Sequence, residues 1–218
     1  MFLDADKGRD DTASGGSAAP LLQQGLRWQD FPFSRLSHHG MACCDVAREW
    51  VIANDFAQLN GGDRSTGPRW LRQLYKWGPS AWPLHWCEAV ARSSIDCGAH
   101  AALAHEAFTA RGLPSFRAQF VQRYDAEAAA HWRSKWSADE CSDHWLDGDL
   151  IYHEGNALLV GADEVKLWDP SAGWWINPRS AGGYGSLAMV RIWTEGRTQR
   201  ASFLWGARRI APDVWCDV

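Results

Sequence analysis

Apolar positions recur at helical spacing over residues 41–59, where Val46, Ala47, Trp50, Val51, Ala53 and Ala57 share one face. This predicts an amphipathic helix, ended by Gly61-Gly62-Asp63. A short helix is expected over Trp70–Trp77, stopped by Gly78-Pro79, with a further break at Trp82-Pro83. Residues 97–111 are alanine-rich with Leu103 and Phe108, and give the strongest helical pattern of the chain. Ser94 or Asp96 can cap its start, and Gly112 followed by Pro114 stops it.

The period then changes to two. Phe116, Ala118, Phe120 and Gln122 alternate with Arg117, Gln119, Val121 and Arg123, which predicts a half-buried strand ending near Tyr124. The polar stretch 125–149 reads as helix and loop. Strand-like runs follow at 150–153, 157–160, 165–168, 187–193 and 201–205, punctuated by Gly, Asp, Asn and Pro. Helices first, then a central helix, then antiparallel strands imply an α+β fold. Residues 1–20 are rich in Asp, Gly, Ser and Ala and predict a disordered arm; residues 21–218 then form a single domain.

Composition narrows the classes. At 218 residues the chain can bury a core without disulfides, and a net charge of −4 gives no footprint for nucleic acid. No apolar run approaches a membrane span of about 18 residues, and the acidic start lacks the features of a signal peptide. The six cysteines, two of them adjacent at Cys43-Cys44, therefore read as reduced thiols in a cytoplasmic protein. Fifteen tryptophans are spread along the chain. Most belong to the core by their area, but in Trp174-Trp175 strand neighbours point to opposite faces, so one can line a cleft that suits a peptide, an acyl group or a sugar.

The chemistry centres on Cys97, at the head of the best helix, where free N–H groups and the positive dipole end favour a thiolate. Small neighbours, Gly98 and Ala99, leave room for a substrate carbonyl, and the first backbone N–H groups can hold an oxyanion. His153, in the apolar strand Leu150-Ile151-Tyr152-His153, is the candidate base. Asp169 ends the strand Val165–Trp168 before Pro170. A hairpin around Gly161-Ala162-Asp163 would set it beside His153, to fix the imidazole tautomer. Taken singly, each has a plainer reading: a buried thiol, a core histidine, an Asp-Pro turn.

Together these segments resemble the transglutaminase-like superfamily of papain-fold thiol enzymes. The resemblance rests on Asp96-Cys97-Gly98-Ala99-His100-Ala101-Ala102-Leu103, on Gly112-Leu113-Pro114, on Tyr152-His153-Glu154 and on Leu167-Trp168-Asp169-Pro170, and covers about 95–175. It implies a transglutaminase-like, papain-like core, with a central helix packed on an antiparallel sheet behind N-terminal helices. It also implies a Cys97–His153–Asp169 triad acting on an amide, ester or thioester carbonyl through a thioester acyl-enzyme. In members of the family an upstream aromatic residue often serves the oxyanion or channel position, which points to Trp86 and Trp82.

The chain departs from the family where Glu154-Gly155-Asn156 follows the histidine in place of an aromatic residue, so His144 stands as a reserve base. The expected substrate is a peptide, a protein or a small amide, with no nucleic acid or membrane partner, and no cofactor or metal is called for. No Cys-x-x-Cys occurs, and His38-His39 near Cys43-Cys44 are more simply a loop and a helix start. Gly182–Ser186 lacks the lysine of a P-loop and reads as a flexible loop by the cleft. The alternative from another class is a catalytically silent module that grips a peptide or glycan in a tryptophan-rich cleft.

Overall fold

The computed structural model describes residues 33–53, 70–78, 84–136, 146–147, 149–178 and 186–218. The expected arm at 1–20, Trp82, His144 and residues 182–185 of the glycine-rich loop lie outside the described residues.

The chain order is β1 (Leu36–Ser37), α1 (Met41–Ala53), α2 (Trp70–Leu74), β2 (Lys76–Trp77), β3 (Leu84–His85), α3 (Trp86–Ala91), β4 (Ser94–Ile95) and α4 (Cys97–Ala110). Then come β5 (Ser115–Arg123), α5 (Ala126–Trp136), β6 (Leu146–Asp147), β7 (Leu150–Leu159), β8 (Val165–Asp169), β9 (Trp174–Ile176), β10 (Ser186–Trp193), β11 (Phe203–Trp205), β12 (Arg208–Ile210) and β13 (Cys216–Asp217). Among the described residues, seven strands make one antiparallel sheet in the order β13-β10-β5-β7-β8-β9, with β6 also on β7. The fold is α+β.

Helix α4 is buried on nearly every side, from Cys97 through Ala104 and again at Ala107 and Phe108. Its alanines explain this: side chains of one carbon let a helix sit between the sheet and the N-terminal helices. On one sheet face, Leu158, Trp168 and Trp175 pack with Ala99, Leu103, Ala107 and Phe108 of α4 and with Trp50, Leu71 and Trp86. On the other, Ala118, Phe120, Ala157, Leu167, Val190 and Ile192 are covered by Phe203, Trp205 and Ile210 of the β11–β12 hairpin. The end of α4 matches its signal: Gly112 adopts φ +70°, and Leu113 N–H donates to the Phe108 carbonyl at 2.9 Å.

Several sequence expectations need correction. Strand β5 is buried on both faces, not one, because Arg117, Gln119 and Gln122 are enclosed with partners rather than solvated. The runs 150–153 and 157–160 are one continuous strand, β7, since Gly155 keeps extended pairing with Ala118 of β5. Residues Lys76–Trp77 leave the expected helix to pair in parallel with β4.

Candidate active site

Three elements deliver the site. Asp96 caps α4: its carboxylate accepts from Ala99 N–H at 2.8 Å, and its carbonyl accepts from His100 N–H at 3.0 Å. The helix therefore begins at Cys97, whose side chain is buried at 2% exposure. The amides of Cys97 and Gly98 belong to the first turn, which has no intrahelical acceptors. His153 comes from β7, opposite Phe120 of β5. Asp169 ends β8, next to β7 across the hairpin that the sequence placed at Gly161–Asp163.

These residues meet. Nε2 of His153 lies 2.9 Å from Oδ2 of Asp169, and the Cys97 thiol and the His153 imidazole stand close enough for each to act on the other's proton affinity. With Nε2–H donating to Asp169, Nδ1 is the ring nitrogen left for the sulfur. Asp169 is itself oriented. Its Oδ1 accepts from Ser171 N–H at 2.9 Å, Ser171 Oγ–H at 2.7 Å and Ala172 N–H at 3.1 Å. The Asp-Pro turn and the imidazole-orienting carboxylate are thus the same side chain in two roles.

Electrostatics complicate the simplest picture of a helix-activated thiolate. Burial pushes the Cys97 thiol above its ordinary range, with Asp96 and Glu154 adding to it, and His153 only partly offsets them. The expected depression by the helix start is overridden by desolvation. Burial also works to discharge His153, but Asp169 and the Cys97 sulfur outweigh it and hold the imidazole protonated well above its usual range. Burial would raise Asp169, yet His153 and the Ser171 and Ala172 donors keep it below the ordinary carboxylate range. Thiol, imidazole and carboxylate are thus coupled, and a thiolate forms when one proton leaves the thiol–imidazole pair.

A buried polar network, absent from the sequence reading, lies beside the site. Glu154 accepts from Ser34 N–H at 3.1 Å, Ser34 Oγ–H at 2.9 Å, Tyr152 O–H at 2.8 Å and the Arg117 guanidinium. Arg117 also donates to the Gly98 carbonyl at 3.2 Å, and Gln119 donates to Tyr152. Polar residues alternating with Phe116, Ala118 and Phe120 were the available signal, but alternation normally marks a solvated face. His100, one turn beyond Cys97, is fully buried. Burial drops its pKa to about 4, and its Nδ1–H donates to the Asp96 carbonyl at 2.8 Å.

The aromatic candidates divide. Trp174 is half-buried and pairs with Asp169 in the β8–β9 register, at the site's edge. Trp175 packs on Trp168, with ring centroids 4.9 Å apart. Trp86 is 3% exposed and packs with Trp50 and His38 in the helical core, so it is no open cleft wall. No family model, no curated protein and no solved structure matches the chain. Among the described residues, no helix is long and apolar enough to cross a membrane.

Proposed function

We propose that the protein is a cysteine-dependent hydrolase or acyltransferase of transglutaminase-like type, acting on an amide, ester or thioester carbonyl. The observation that carries this reading is the thiol–imidazole–carboxylate series at a helix N-terminus, with Asp169 fixed by three donors besides His153. Once one proton leaves the Cys97–His153 pair, the remaining proton rests on His153 and the sulfur is a thiolate. It attacks the carbonyl carbon. The first N–H groups of α4, at Cys97 and Gly98, receive the oxyanion. His153 returns its proton to the leaving amine or alcohol as the C–N or C–O bond breaks, and a thioester remains on Cys97. Water or an amine then displaces the sulfur, with His153 taking the incoming proton. Asp169 balances the imidazolium throughout. The substrate class is a peptide, a protein or a small amide, and a cytoplasmic setting suits reduced thiols.

The burial of Cys97 and its raised pKa favour a second reading, a silent peptide- or glycan-binding module on the same core. Site-resolved alkylation of Cys97 against pH, in the native protein, separates the two. The enzyme reading expects native labelling whose pH midpoint moves upward in His153→Ala and in Asp169→Asn. Labelling that needs denaturant, or that ignores both substitutions, rejects it in favour of the binding module.

A further inference from the structure

The start of α1 and the start of α3 bring a second, unrelated set of side chains together. Strand β1 pairs in parallel with β3, which sets Ser37 beside His85. Two residues on, His39 precedes Gly40, whose φ of +96° lets the chain turn sharply into α1. His39 then stacks on His85. Glu88, one turn into α3, caps the helix start, its Oε2 accepting the His85 backbone N–H at 3.2 Å. One donor atom each from His39, His85 and Glu88 lies within 4.8 Å of the others.

The second layer prepares one imidazole for a cation. Ser37 Oγ–H donates to the Leu84 carbonyl at 3.3 Å, and the same oxygen lies 2.9 Å from His85 Nδ1. The Ser37 contact engages Nδ1 and fixes the ring, which leaves Nε2 as the nitrogen for an ion. The frame is held on the other side, where Cys87 N–H donates to Cys43 Sγ at 3.1 Å and joins α3 to α1. His39 and Glu88 are exposed and His85 half-buried, so an ion in water can reach all three.

We propose that His39, His85 and Glu88 form a binding site for a divalent first-row transition ion, with zinc as its redox-silent representative. Two neutral imidazoles and one carboxylate are a nitrogen–oxygen set suited to a borderline cation, with one position left for water. Tetrahedral donors at bonds of about 2.1 Å stand roughly 3.4 Å apart. Closing the group thus needs side-chain rotation on the order of 1 Å. The ion would staple residues 33–40, the segment that carries Ser34 to Glu154, onto α3. This differs from the sequence reading, which called for no metal, because His85 and Glu88 are far from His39 along the chain. It holds independently of the proposed thiol chemistry.

Zinc chloride titrated by calorimetry into the chelator-stripped full chain tests the site, with metal content measured after desalting. The expected result is saturable uptake of one zinc per chain and a rise in Tm. Affinity should fall at least tenfold in His39→Ala and in Glu88→Gln, and about tenfold in Ser37→Ala, which removes only the oriented partner of His85. Cys44→Ser, beside His38, should bind as the parent does. Absence of saturable uptake overturns the proposal. So does binding of parental affinity in His39→Ala, or binding that disappears in Cys44→Ser.

Discussion

Arg117 joins the helix of the candidate nucleophile to the strand of its base: its guanidinium donates both to the Gly98 carbonyl and to the Glu154 carboxylate, next to His153. Both side chains are almost fully enclosed, 6% and 1% exposed. Removing one member of such a pair leaves a buried charge without its counter-ion, which costs about 3–5 kcal/mol. Arg117→Met is expected to lose that much in urea denaturation. Glu154→Gln leaves the Arg117 charge buried without its counter-ion and is expected to lose a comparable amount, although the amide oxygen still accepts from Ser34 and Tyr152. Glu154 also holds the Cys97 thiol up, so Glu154→Gln should shift native alkylation of Cys97 toward lower pH. A labelling profile unmoved by Glu154→Gln would show that this carboxylate does not act on the sulfur.

Linkage gives the His153–Asp169 pair a defined pH window. His153 has a folded pKa well above its unfolded value. Its contribution to stability is full below the unfolded pKa and is lost as pH rises through the folded one. Asp169 is depressed, so its contribution is present above its unfolded pKa and is lost as pH falls through the folded one. The pair therefore stabilises the fold most between the unfolded carboxylate and unfolded imidazole pKa values. Denaturation midpoints of the parent and of Asp169→Asn, measured from pH 3 to 10, should differ most near pH 5–6 and converge toward both ends. A difference that persists undiminished into alkali would mean that Asp169 does not raise the His153 pKa.

The parts of the site that were legible in sequence are those fixed by local rules. Asp96 before an alanine-rich run marks a helix start, so Cys97 was placed at its head. The turn signal at Gly161–Asp163 brought β8 against β7, so Asp169 was placed near His153. What was not legible depends on what covers each face. The alternation in β5 predicted solvent over Arg117 and Gln119, whereas α4 and residue Ser34 enclose that face, and only three-dimensional packing shows it. Trp86 is the same lesson in reverse: its chain position upstream of Cys97 suggested the cleft, but α1 buries it. Desolvation of Cys97 was equally hidden, since the helix-start argument counts dipoles and not the protein packed over them.

Gly155 is where the geometry of the site meets the geometry of the sheet. A Cβ there would stand 2.5 Å from the Trp168 carbonyl oxygen and 2.9 Å from the Phe120 ring. The close neighbour is backbone, and it belongs to the residue just before Asp169. A methyl group cannot be accommodated by rotating a side chain away. It must push the end of β8 off β7, and Asp169 moves with it. Gly155→Ala is therefore expected to destabilise the fold by about 1–3 kcal/mol, the usual range for overpacking. It should also lengthen the 2.9 Å contact between Asp169 and His153. The functional consequence follows from that contact. A retreating carboxylate no longer holds the proton on His153, so the imidazole pKa should fall toward its ordinary value. An NMR titration of the His153 ring resonances reads this directly. The expected result is a pKa in Gly155→Ala lower than in the parent, with Cys97 alkylation changed as in Asp169→Asn. If Gly155→Ala is destabilised but the His153 titration stays where it was, β8 yields elsewhere along its length, and the tight approach at Gly155 serves the sheet and not the pair.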